Sequence, residues 1–180
     1  MDDISRKKLE SLIKKNARLF NLKLVSKKEN PFVIWEDYHL STTVENELFS
    51  WELQMTIGVT GRDLIHMMMF MHPIIVKDDT RRSFIEFTNA ANLWLGSGLG
   101  RFWVNNENDY CYECYLPECF MDDFSELEQQ LFDKPFSHFK DCLTPLLQLK
   151  DGKWTVQKAI KYLDELREAG YIDNSEYGLW

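Results

Sequence analysis

The chain has 180 residues, 44% hydrophobic and 14% aromatic, enough for one buried core and too apolar for intrinsic disorder. Twenty-one basic against twenty-nine acidic side chains leave a net charge of −8, which disfavours general binding to a phosphate backbone. Four cysteines are too few for a disulfide scaffold.

The opening MDDISRKKLESLIKKNARLF carries charges every few residues through Arg18. A secretory signal needs a continuous apolar run after its basic start, and no stretch reaches the roughly 18 apolar residues of a membrane span. The expected setting is therefore cytoplasmic, without membrane contact and with reduced thiols. Residues 2–16 read as an amphipathic helix, capped by Asp2 or Asp3, with Ile4, Leu9, Leu12 and Ile13 as its apolar stripe. Charge is uneven: residues 1–30 carry net +5, 31–60 net −5 and 101–133 net −8. Either a basic first helix lies over an acidic or solvated surface, or it is an arm that meets an anionic partner.

Two strand candidates follow, at 19–25 and 32–40, separated by a Lys-Lys-Glu-Asn-Pro turn. The clearest alternation lies at 49–59, where Phe49, Trp51, Leu53, Met55, Ile57 and Val59 take every second position. Thr60-Gly61-Arg62-Asp63 turns the chain, and Leu64 to Val76 returns as the partner of a hairpin. This second strand is apolar on both faces. Ile65, Met67, Met69 and Met71 share one side; Leu64, Met68 and Phe70 share the other with His66 and His72. Both sides are covered, or one is an interface.

Asp78, Asp79 or Thr80 can cap a central helix carrying Phe84, Phe87, Ala91, Leu93 and Trp94, which Gly96 and Gly98 end. Arg101–Asn105 and Tyr110–Leu116 form a second hairpin about a polar turn. Helices are predicted at 122–131, 135–148 and 154–169, with Pro145 kinking or shortening the middle one. Segregated strands and helices argue an α+β fold: an antiparallel sheet of about five to six strands, with an N-terminal helix, a central helix and C-terminal helices packed on it. Residues 1–150 form the main domain, and 151–180 a helical extension on the same core.

Motifs that carry chemistry are scarce. Cys111 and Cys114 sit in a strand pattern, where positions three apart point to opposite faces, so no metal or redox pair is expected. Gly96-Ser97-Gly98-Leu99-Gly100 follows a helix instead of opening one, the wrong order for a phosphate cradle. His66 and His72 lie about 20 Å apart along one strand at roughly 3.3 Å per residue, too far for one metal. Neither Glu36-Asp37 nor Asp122-Asp123 shows the convergence that acid–base work needs. Residues 154–172 have the pattern of a DNA-reading helix without its wing. Residues 134–180 balance seven cations with seven anions, so nucleic-acid binding is not expected. No cofactor, metal or catalytic residue is assigned.

The order of elements over residues 1–150 resembles the YbjN-like family, within the type III secretion chaperone-like fold. The best local piece runs from Thr80 to Cys114. A helix with Phe84, Ile85, Asn89, Asn92 and Leu93 leads to Gly100-Arg101-Phe102-Trp103-Val104, then a polar turn and the aromatic strand Asp109-Tyr110-Cys111-Tyr112. The resemblance implies an α+β fold, homodimers, no enzymatic chemistry, and surfaces offered to extended partner segments. The leading expectation is a non-enzymatic protein- or peptide-binding module and homodimer, with Met67, Met69, Met71 and Trp103 as contacts. Its rivals are a small-ligand enzyme using Cys or His, and a DNA-associated regulator using Lys153, Lys158 and Lys161.

Overall fold

A computed structural model describes residues 3–19, 23–26, 32–36, 42–44, 47–49, 52–60, 64–94 and 99–169. The fold is α+β. In chain order the elements are α1 (Asp3–Leu19), β1 (Lys23–Ser26), β2 (Phe32–Glu36), β3 (Thr42–Val44), β4 (Glu47–Phe49), β5 (Glu52–Val59), β6 (Leu64–Ile75), α2 (Arg81–Trp94), β7 (Arg101–Val104), β8 (Asp109–Pro117), α3 (Phe124–Glu128), α4 (Lys134–Lys150) and α5 (Val156–Glu168). A six-stranded antiparallel sheet has the order β1-β2-β5-β6-β8-β7, and β3 and β4 form a separate ribbon.

The alternation of residues 52–59 sets the sheet's inner face. Register aligns Met55, Met69, Tyr112 and Phe102 in one row across four strands, and Ile57, Met67 and Cys114 in the next row of that face. All seven are buried. The helices cover this side: α4 packs on β6, α2 on β7, and α5 on both α2 and α4. Phe139 of α4 meets Phe102 edge-on, with ring centroids 4.8 Å apart. α5 opens at Thr155, whose hydroxyl accepts from Lys158 N, and it buries Val156, Ala159 and Leu163 in the common core.

α1 buries Leu9, Leu12, Ile13, Asn16 and Ala17, and leaves the predicted Ile4 exposed. The expected helices at 122–131 and 135–148 are one nearly continuous run. A wide π turn, Gln129–Asp133, joins α3 to α4, and α4 passes through Pro145 to Lys150 without ending. Pro145 lies among the buried Leu143, Leu146, Leu147 and Leu149. That packing offsets one missing backbone hydrogen bond.

Two local devices finish the sheet's β7 edge. Asn92 of α2 accepts from Phe102 N and donates to its carbonyl oxygen, both at 2.8 Å. Its amide thus stands where a further strand would pair. Gly96 and Gly98, expected to end α2, lie outside the described residues, and Gly100 lies under the Tyr112 ring, which a side chain there would strike. The β7–β8 turn is tied by Asn105 and Asp109, and Asn108 adopts a φ of 68°. Among the described residues no helix is long and apolar enough to cross a membrane.

Candidate functional site

Among the described residues no helical layer covers the other face of the same strands. Thr56, Met68, Glu113 and Arg101 form one row, and Gln54, Phe70, Cys111 and Trp103 another. Beside them Gly58, His66 and Tyr115 align. Met68, Phe70, His66 and Glu113 are half-buried, while Trp103 and Tyr115 are 39% and 48% exposed. Cys111 is buried in its row between Phe70 and Trp103.

Three of these residues are locked together. Glu113 Oε1 lies 2.9 Å from His66 Nε2 and accepts from the Tyr115 hydroxyl at 2.8 Å. The His66 and Tyr115 rings stack with centroids 4.4 Å apart and planes within 9°. The hydrogen bond to Glu113 raises the Tyr115 pKa and keeps the phenol protonated. Gly58, level with His66, has no side chain to crowd these rings. The result is a preorganised plate of aromatic and thioether surface with one polar seam, facing solvent.

The predicted contact residues divide between the two faces. Met67 and Met69 are 0% exposed and belong to the core beneath the helices. A partner could reach them only if α4 lifted from the sheet, so their side chains are not surface contacts in this fold. The reason is the register: it puts odd-numbered residues of β6 from Ile65 to Met69 on the helical side. Met71 lies in β6 opposite Leu53, and nothing further is described of its side chain. Trp103 alone of the four is shown on the uncovered face, where it joins Met68, Phe70, His66, Glu113 and Tyr115. Of those five, Met68, Phe70 and His66 do not stand out in the sequence because both sides of β6 are apolar there. One clue was present: Glu113 and Tyr115 flank the inward Cys114 at strand spacing.

A second polar group lies inside the helical layer. Glu126 Oε1 accepts from Gln130 at 2.6 Å and from Lys134 at 3.2 Å. One α turn plus the wide π turn takes about eight residues, which brings Lys134 back over Glu126. Gln130 Oε1 also accepts from Leu99 N at 3.0 Å, tying this helix to the start of β7. The sequence signal was Glu126, Gln130, Lys134 and His138 at intervals of four, overlooked beside the apolar stripe. His138 is buried, and burial together with the nearby Lys134 lowers its pKa to about 4. Burial raises Cys111 and Cys114 to about 12, and pushes Cys142 up as well. Such thiols hold almost no thiolate near neutrality.

The remaining sequence candidates separate. Cys111 and Cys114 do point to opposite faces of β8. Among the described residues no three His, Cys, Asp or Glu side chains gather as a metal site. Asp123 caps α3 by accepting from Glu126 N at 3.0 Å. Each lysine of the DNA-associated rival has a partner of its own. Lys153 lies 3.9 Å from Asp151, Lys161 lies 3.0 Å from Glu165, and Lys158 sits 4.4 Å over the Trp154 ring. His39 and Asp37 lie outside the described residues. Against protein-family models, curated proteins and solved structures alike, the chain finds no match. The likeness to the YbjN-like family rests on its residue pattern alone.

Proposed function

We propose that the protein is a non-catalytic binding module whose uncovered sheet face pairs with a second copy of the chain. The observation that carries this reading is the His66–Glu113–Tyr115 plate beside Met68, Phe70 and Trp103. Apolar and aromatic side chains held rigid on a solvent face are what interfaces concentrate. The charges suit a two-fold pairing. Arg101 and Glu113 are direct neighbours in register, so a two-fold axis near them sets the arginine of one copy against the glutamate of the other. Three of the four thiols, Cys111, Cys114 and Cys142, are buried while Cys119 is exposed, and His138 is neutral, so the interior offers this reading no competing nucleophile. The bidentate Asn92 disfavours addition of a strand at β7 and favours face-to-face contact.

Sedimentation velocity from 1 to 100 micromolar tests the reading. The wild type is expected to self-associate across that range. Trp103→Glu should shift it to monomer while leaving the circular dichroism spectrum and melting temperature nearly unchanged. Met69→Glu is the uninformative change, because it buries a charge and unfolds the chain. A wild type that stays monomeric at 100 micromolar removes the homodimer.

A further inference from the structure

The outward side of α1 is an unusual surface for so acidic a protein. Arg6, Lys7, Lys8, Lys14, Lys15 and Arg18 are all exposed on one helix. Arg6 pairs with Glu10 and Lys15 with Glu128. Lys7, Lys14 and Arg18 pair with no carboxylate among the described residues. Beside them, α1 and α3 enclose an open pocket of about 290 Å³, lined by Lys8, Ser11, Leu12, Lys15, Phe124 and Glu128. Its base is apolar, from Leu12 and Phe124. Lys8 and Lys15 stand two turns apart, about 10 Å along the axis at 1.5 Å per residue. Lys8 Nζ lies 5.8 Å from the Phe124 centroid.

We propose that this pocket binds an acidic peptide segment of a partner protein, taking one apolar side chain on Leu12 and Phe124 and flanking carboxylates on Lys8 and Lys15. One of its cations would have to exchange an internal carboxylate for the ligand's. Lys15 Nζ bridges the Glu128 carboxylate, 2.8 Å from Oε1 and 2.9 Å from Oε2, and Asn16 Nδ2 donates to Oε1 at 2.7 Å. Glu128 therefore keeps a hydrogen bond when Lys15 turns to a ligand. Lys14 and Arg18 extend the positive surface along the helix and attract the segment at longer range.

Two other anionic partners fit less well. A nucleic-acid backbone offers no apolar side chain to seat on Leu12 and Phe124, so it gains nothing from the apolar base. A lipid surface wants an outward apolar stripe. Here Leu9, Leu12, Ile13 and Ala17 face inward, and only Ile4 and Leu19, near the helix ends, are exposed. None of the lining residues belongs to the sheet, so this surface and the uncovered face are tested separately.

Fluorescence anisotropy with a labelled synthetic ten-residue peptide of alternating glutamate, leucine and phenylalanine decides the matter at 50 mM salt. Expected is saturable binding that weakens as salt rises. Lys8→Gln/Lys15→Gln should weaken it about tenfold, consistent with two partly exposed charge contacts. Ser11→Trp, which fills the pocket and leaves every charge in place, should weaken it comparably. Lys153→Gln/Lys161→Gln serves as the charge-matched control and should leave binding within twofold. The idea is overturned if the peptide fails to bind, if the control weakens it as much as the pocket changes, or if Ser11→Trp has no effect in a folded protein. Tighter binding of oligothymidylate or of phosphatidylserine vesicles at equal salt also overturns it.

Discussion

Phe102 and Trp103 are neighbours in β7, yet they live in different solvents. Phe102 is 2% exposed and Trp103 39%. The first is fixed by Tyr110, Tyr112 and Phe139; the second stands on the open side of the sheet in register with Cys111. The contrast extends across the β6–β8 pair. The inner rows are close-packed, and a change there is expected to act on stability. The outer rows are half-wet, and a change there is expected to act on association. Aromatic content does not separate core from surface in this protein; strand parity does.

The largest break in that comparison comes from Phe102→Ala. Removing a ring packed on three aromatic neighbours should cost about 4 kcal/mol, read from the urea midpoint. If the loss were under about 1 kcal/mol, the inner face would not be the close-packed one.

Next comes the acid limb of stability. His138 binds its proton near pH 4 in the fold, below the ordinary 6.5, through burial and then Lys134. The unfolded chain therefore takes up that proton first as pH falls. Stability from this group is complete above about 6.5 and drains by about 3 kcal/mol toward pH 4. Asp141 runs the other way, because burial raises it to about 6. Its stabilising contribution is complete below its ordinary 3.8 and fades as pH rises through 6. The two offset each other between those limits. His138→Gln should unmask Asp141, so that the variant gains stability from pH 6.5 to 4 where the wild type gains little. Parallel stability–pH curves for the two proteins would contradict the burial of His138.

Asn92→Ala leaves the N–H and carbonyl of Phe102 without their side-chain partner. A loss of about 1–2 kcal/mol is expected, with faster amide exchange at Phe102 as the local readout. An unchanged exchange rate would deny Asn92 its role at the edge. The smallest effect belongs to Trp103→Ala, which should alter stability by less than about 1 kcal/mol and still lower self-association. A large drop in melting temperature would instead make Trp103 a core residue.

Local pattern and tertiary placement contributed differently. The period-two alternation over Glu52–Val59, the returning strand from Leu64, helix α2 and the Arg101–Leu116 hairpin were readable from the chain, whereas Phe49, at the start of the expected 49–59 strand, belongs to the separate β3–β4 ribbon. So was the opposition of Cys111 and Cys114. Each depends on the pleat or on helical repeat, which act over a few residues. Which side of β6 is covered was not readable. Both of its faces are apolar, so Met67 and Met68 look alike until helices choose one of them. The π turn was equally hidden, since it follows from seating Lys134 over Glu126 while Leu131 and Phe132 stay buried.

By itself, then, the amino-acid order determined the elements, their antiparallel hairpins and the α+β class, because hydrophobic spacing and turn chemistry are local. Only the tertiary structure decided that Met67 and Met69 lie inside, that Trp103 lies out with Tyr115, and that Glu126 and Lys134 meet. Those outcomes depend on contacts between residues far apart in the chain, where the burial of one face is settled by what packs against it.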